Sequence, residues 1–381
     1  MRNLLPLSLY IHLPWCERKC PYCDFNSHET TALPEQAYVD TLISDLCNEG
    51  RLDRRPLQSI FFGGGTPSLF SADAIASILK AVRSHFELAR DCEITMEANP
   101  GSSEQERFAS YVEAGVTRFS LGIQSFEDHC LKRLGRIHDC REAISAIDAA
   151  KVSGAQSFNI DLMHGLPEQD ATMGLGDVNT AISHQPPHIS WYQLTIERNT
   201  PFYRQPPVLP MESVLVDIET AGSKSLMNAG FRRYEISAWA QPGQECRHNI
   251  NYWQFGDYIG VGAGAHGKQT TEQGEVNRYA KTRVPKDYMS SDGQRRCATR
   301  ALTAADRSGE FMLGALRLID GVDMQLFEDR TGLSRAVIAG TTAGLKAENL
   351  LVDDDHRIQA SELGLRYLDD VVGRFFTDEI K

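Results

Sequence analysis

Along the first 240 positions, apolar, β-branched and aromatic residues gather in short runs separated by amphipathic stretches. The runs are "LSLYIH" (7–12), "QSIFFG" (58–63), "EITMEA" (93–98), "RFSLGIQ" (118–124), "SFNIDLM" (157–163) and "HISWYQLT" (188–195). Most are nearly continuous rather than alternating, as expected for parallel strands covered on both faces. Between them, residues 34–48, 72–87, 103–115, 141–153, 171–184 and 212–229 read as helices. Strands alternating with helices predict an α/β fold with a parallel sheet and right-handed crossovers.

The chemically unusual residues sit just after, or late in, these strands: "CERKCPYC", "GGGTPS", "EANPG", "GIQS", "HGLP" and "TIERNTPF". In a β/α barrel such loops open onto one face, whereas a doubly wound sheet concentrates its ligand loops at one switch point. The expectation is a partial or complete parallel β/α barrel over residues 1–240. Residues 241–300, rich in Gly and aromatics, read as an irregular packed segment. Residues 301–381 change rhythm: helices at 309–319, 323–330 and 334–347, a hairpin at "LLVDDDHRIQA" and a helix at 361–377 outline a winged-helix-like cap. That cap holds 9 Lys and Arg against 15 Asp and Glu, a balance opposed to DNA reading.

Composition narrows the class. The chain has 381 residues, 41% hydrophobic and 24% charged, with a formal net charge of −12. No apolar run reaches the roughly 18 residues of a membrane span, and "MRNLLPLSLY" carries no export pattern, so a cytoplasmic location without stable membrane insertion is expected. The acidic balance argues against nucleic acid as a partner. Nine cysteines in that compartment read as metal ligands or inert thiols, not disulfides.

Three of them, Cys16, Cys20 and Cys23, crowd one loop, while the other six are scattered singly. Structural zinc commonly takes four ligands in two separated pairs, and no second pair is present. A [4Fe–4S] cluster normally takes four thiolates. Three from one loop would leave the fourth iron open to another ligand, with zinc as the alternative. "FFGGGTPS" lacks both the dinucleotide-binding spacing and the Lys of a P-loop; its glycines allow a close backbone approach.

Taken together, "YIHLPWCERKCPYCDF", "FFGGGTPS", "ITMEANPG", "FSLGIQSF", "LGRIH", "FNIDLMHGLP" and "RHNINYW" resemble the oxygen-independent coproporphyrinogen oxidase family of radical S-adenosylmethionine (SAM) proteins over nearly the whole chain. The resemblance implies a barrel of the radical SAM type. Cys16, Cys20 and Cys23 would bind a [4Fe–4S] cluster, and SAM would chelate the fourth iron through its amino and carboxylate groups. It implies that Gly64, Gly65 and Thr66 contact the methionine part of SAM and Glu97 its ribose. Tyr10 and Tyr22 would flank cluster and SAM, while Gln124, Arg136 and Asp161 would line the pocket.

Within that family, members that decarboxylate coproporphyrinogen III carry a fourth Cys two residues after the third, where this chain has Phe25. They also carry a longer N-terminal extension. The "HNINYW" element, with His248, Asn249, Tyr252 and Trp253, is similar to the mark of the HemW branch, whose members are regarded as haem-binding chaperones. The resemblance therefore implies haem at these four residues and transfer of haem to acceptor haemoproteins, with a homodimer left open. An imidazole suits haem iron and the aromatic rings suit a porphyrin face. His266 and Cys246 are lesser ligand candidates. The alternative is a radical SAM enzyme acting on a porphyrinogen.

Overall fold

The computed structural model describes residues 5–51, 53, 55–101, 107–290 and 295–376. Parts of two expected helices, 103–106 and 377, lie outside the described residues. Six strands stand side by side in chain order, all parallel: β1 (Leu7–Leu13), β2 (Leu57–Gly64), β3 (Leu88–Ala98), β4 (Arg118–Gln124), β5 (Ser157–His164) and β6 (His188–Gln193). The crossovers carry helices α1 (Glu35–Gly50), α2 (Ala72–His85), α3 (Phe108–Ala114), α4 (Cys140–Val152) and α5 (Ala171–Ser183), and α6 (Glu212–Asn228) follows β6. Among the described residues β1 and β6 do not pair, so this is a partial barrel. Helix starts are fixed locally: Asp139 and Glu142 form a capping box on α4, and Ser71 and Asp170 cap α2 and α5.

The strands are not continuously apolar as expected; they alternate. Leu7, Leu9, Ile11 and Leu13 of β1 join Ile60, Phe62, Met96, Leu121, Ile160 and Ile189 in one core with the helices. The intervening positions, Ser8, Tyr10, Phe61, Glu97, Ser120, Asp161 and Ser190, therefore face the concave side. Ser, Thr, Gly and Tyr blur the period in the sequence, because none is strongly polar.

Beyond β6 the chain turns back through the short antiparallel strands β7 (Arg232–Glu235) and β8 (Ala238–Ala240), the latter pairing with β6. Helix α7 (Arg247–Trp253) then leads to β9 (Asp257–Val261), parallel to β1, and to the antiparallel strands β10 (His266–Thr270), β11 (Val276–Lys281) and β12 (Arg296–Ala301). The stretch expected to be irregular is thus a regular extension of the sheet. Its glycines serve close packing: a Cβ on Gly267 would lie 2.2 Å from the Tyr279 ring.

The C-terminal residues form a second core. Phe311 and Met312 of α8 (Ala304–Ala315) pack with Phe327, Leu345 and Ile358, and a two-stranded pairing joins Val322–Asp323 to Arg357–Ile358. Phe255 belongs to this core, and the Arg317 guanidinium lies over the Trp253 ring at 4.4 Å. No helix among the described residues is long and apolar enough to cross a membrane.

Buried charges fasten the added strands. Asp257, fully buried, accepts from Arg55 Nη1 and Lys268 Nζ at 2.7 Å each, and from the backbone and hydroxyl of Thr270 at 2.9 Å. Lys281 is enclosed between Asp45 (2.6 Å) and Glu49 (2.8 Å) of α1. Removing one partner of such a set leaves uncompensated buried charge. Asp257→Ala is expected to lower unfolding free energy by about 3–5 kcal/mol in urea titrations. A loss under about 1 kcal/mol would place the pairing in the range of solvent-exposed ion pairs and contradict this account.

Candidate functional site

The cysteine loop leaves the top of β1. It is held mainly through its backbone. Residues Trp15–Cys16 pair with His28–Glu29, and the Cys23 amide donates to the Cys20 carbonyl at 3.1 Å. Lys19 Nζ donates to the carbonyls of Phe25 and Ser27. Asn26 donates to the carbonyls of Ala263 and Arg283, tying the loop to the far sheet extension. The end of β2 lies against the loop: Gly65 N–H donates to Leu13 O at 2.8 Å and Thr66 N–H to Trp15 O at 2.7 Å. A Cβ on Gly65 would come within 2.4 Å of that Trp15 oxygen, so glycine here is a condition of the contact.

Cys16, Cys20 and Cys23 all line one cavity of about 150 Å³, together with Tyr22, Gly64, Gly65 and Thr66 from the loop and β2. From across the barrel mouth Glu97, Gln124, Arg136 and Asp161 line the same space. Burial pushes the Cys16 and Cys23 thiols up. Among the described residues no three His, Cys, Asp or Glu side chains converge as on a single metal ion. Bonds of about 2.3 Å to one zinc would bring the sulfurs to roughly 3.8 Å from each other, whereas a four-iron cube spreads its ligands. Three thiols lining one cavity are a donor set that fits three irons of a [4Fe–4S] cluster, leaving the fourth open.

The cavity is rich in hydrogen-bonding groups already held in place. Arg136 donates to Asn99 Oδ1 and Gly122 O at 2.7 Å each, and its Nη1 lies 3.6 Å from Cys20 Sγ. Asn99 in turn donates to Thr66 Oγ1 at 2.8 Å, and Tyr192 OH donates to Gln124 Oε1 at 2.9 Å. Asp161 accepts from Ser120 and Asn159. Asn99 and Tyr192 are site residues that sequence reasoning missed; Asn99 stands inside "EANPG", where its position after β3 was the available signal. Glu97 accepts from the Gly64 amide at 3.2 Å. Burial, and then the neighbouring Asp161, raise its pKa to about 8, against the pull of that amide.

A second cavity of about 680 Å³ adjoins the first and shares Phe25, Gly64 and Glu97 with it. Tyr10 lines this one, not the cysteine-lined cavity, and its hydroxyl is 3.0 Å from His12 Nδ1. Of the "HNINYW" residues only Tyr252 reaches it. His248 is 4% exposed, in the barrel floor, with Nδ1 3.3 Å from Ser59 Oγ and its ring stacked on Phe61 at 4.8 Å. Burial, then Arg118, hold its pKa down to about 3. Trp253 packs on the C-terminal core, and Asn249 on the same helix lines neither cavity. The buried Cys246, at the start of α7, lies 3.5 Å from Glu93.

Glu97 gives a pH test. A carboxyl whose pKa rises on folding contributes stability at low pH that is lost as pH climbs from its ordinary 4.5 to about 8. In SAM-free protein, Glu97→Gln is therefore expected to gain on wild type by roughly 2–5 kcal/mol between pH 5 and pH 8, read from urea unfolding. A difference that does not change with pH would show that the Glu97 carboxyl is not desolvated.

The Radical SAM superfamily profile matches residues 10–174, and the HemN C-terminal domain profile matches residues 302–367. The chain is 48% identical over 385 residues to a Haemophilus influenzae protein named heme chaperone HemW, covering 100% of both. It is 47% identical over 380 residues to the Escherichia coli protein of the same name, covering 99% of this chain and 100% of that one. Among solved structures, the radical SAM enzyme coproporphyrinogen III oxidase (HemN) from Escherichia coli superposes with a TM-score of 0.83 at 23% identity, over 99% of this chain and 91% of that one. The last likeness shows the fold; the first two, full-length and near half identical, show that this chain belongs to the HemW family of radical SAM proteins.

Proposed function

We propose that the protein is a haem chaperone that carries a SAM-ligated [4Fe–4S] cluster, binds haem and passes it to acceptor haemoproteins. Membership of the radical SAM family implies the cluster and SAM; haem is the cargo that the names of the relatives suggest. The observation carrying the reading is the pair of adjoining cavities. One is lined by three thiols and fixed hydrogen-bonding groups; the other is larger and walled by Tyr10, Tyr252 and Tyr258.

When bound, the cluster and SAM would supply one-electron chemistry. Cys16, Cys20 and Cys23 would hold three irons. Arg136, beside Cys20, would balance thiolate charge, and Gly64, Gly65 and Thr66 would place the SAM methionine group. Glu97 would meet the ribose hydroxyls, with Asp161, Gln124 and Tyr22 closing the pocket. Phe25 is 62% exposed and borders both cavities. A phenyl ring there offers an apolar face to a planar ligand and no thiolate, which favours holding haem over decarboxylating a porphyrinogen. In the "HNINYW" helix, His248 stands edge-on behind Tyr252 at 4.8 Å and so sets the wall that Tyr252 presents.

The test uses anaerobically reconstituted, full-length protein. Haemin titration followed by Soret absorbance is expected to saturate near about one haem per chain, and added apomyoglobin is expected to take that haem up. Incubation with SAM, a reductant and coproporphyrinogen III should leave the porphyrinogen intact. Absence of saturable haem binding, or formation of protoporphyrinogen with 5′-deoxyadenosine, would overturn the chaperone reading.

A further inference from the structure

The larger cavity contains a histidine whose setting differs from that of every other imidazole around it. His266 opens β10 and is exposed, at the cavity wall. No hydrogen bond within the described residues occupies its ring. His12, in the same cavity, has both nitrogens engaged, by Tyr10 and by the Asn26 carbonyl. His248 is sealed in the floor. Partial burial, and then Arg278 and Arg283, lower the His266 pKa below its usual value, so the ring is neutral at neutral pH, the form that binds iron.

The surroundings match a planar, dianionic macrocycle. Ala280 lies directly across from His266 in the β10–β11 pairing, and paired residues share one face. Its methyl leaves open the space that a larger side chain would fill beside the imidazole. Tyr252 and Tyr258, with ring centroids 4.3 Å apart, form one aromatic wall, and Phe25 stands at the opening towards the cluster cavity. Arg283 is an exposed cation at the rim, held among the described residues only by Asn26 Oδ1 at 3.3 Å. Lys281 is already neutralised by Asp45 and Glu49. The volume, about 680 Å³, lies within the roughly 300–1,000 Å³ of typical cofactor pockets.

We propose that haem docks in this cavity with His266 as the axial ligand of its iron, the porphyrin plane against Tyr252 and Tyr258, and a propionate on Arg283. The proposal rests on the haem-chaperone reading and adds the site. It also gives "HNINYW" a defined part: the element builds the aromatic wall, and the ligand comes from "GAGAHGK", the segment that follows β9.

The experiment compares haemin titrations of full-length wild type, His266→Gly and Ala280→Phe, with circular dichroism confirming that each is folded. Wild type is expected to show the Soret band of imidazole-ligated haem. His266→Gly should lose that band and about tenfold or more in affinity, and free imidazole should restore the band, which a purely structural defect would not allow. Ala280→Phe keeps the ligand but fills the space beside it, and should weaken binding without shifting the band of the haem that remains. Wild-type binding with an unchanged band in His266→Gly would overturn the assignment while the chaperone reading stands. Loss of the band in His248→Ala instead would transfer the ligand to α7. If wild type itself fails to bind haem, it is the chaperone reading that falls.

Discussion

Two backbone hydrogen bonds carry the site: Gly65 N–H to Leu13 O and Thr66 N–H to Trp15 O. They dock the end of β2 on the first residues of the cysteine loop, at a separation where no side chain can intervene. The loop has little regular structure of its own. Its geometry is fixed because the flanking backbone is satisfied by β2 on one side and by Asn26, bonded to the β9–β12 extension, on the other. An open loop bearing three thiols would otherwise lose the entropic contest of ordering. The same contact brings Thr66 within reach of Asn99, and Asn99 within reach of Arg136, so one close approach aligns residues that follow β2, β3 and β4 with the cysteine loop.

A polar concave face follows from having an open barrel. The helices cover only the convex side, so the inner positions escape the need to be apolar, and Ser120, Asn159, Asp161 and Ser190 satisfy one another there. Glu97 is the exception. Its bond from the Gly64 amide does not compensate for burial beside Asp161, and the carboxyl is held protonated over much of the neutral range. A ligand offering hydroxyls would supply the hydrogen bonds that this carboxyl lacks. The instability is local and it faces the cavity, where binding can relieve it.

Local pattern encodes much of this fold. Strand order, the helices between strands and the loops at one mouth follow from periodicity and short motifs, and the residues expected around the cluster do meet in one cavity, apart from Tyr10 next door. What the sequence hides depends on long-range pairing. Asp257 meets Arg55 from 202 positions away, and Lys281 meets Asp45 from 236 away, and neither spacing leaves a local trace. The order of β9–β12 is hidden for the same reason: its glycines and aromatics look irregular until Tyr279 is seen lying over Gly267. His248 shows the converse. A histidine among aromatics has the same local look whether it lines a pocket or seals a floor, and only burial separates the two.

The two cavities meet at Phe25, Gly64 and Glu97, and this shared edge has consequences for coupling. A ligand that engages Glu97 from the cluster side acts on a side chain that also borders the larger cavity, and a ligand stacked near Phe25 presses on the loop that carries Cys23. Occupancy of one space can therefore alter the free energy of filling the other without a change of fold, provided each ligand prefers a different setting of the loop. Lys19, which ties the carbonyls of Phe25 and Ser27 together, limits that freedom. Phe25 and the cysteines therefore sit on one loop that β2 and Asn26 fasten on either side. Linkage between cluster and cargo would then arise from the stiffness of a single loop, with no path through the barrel required.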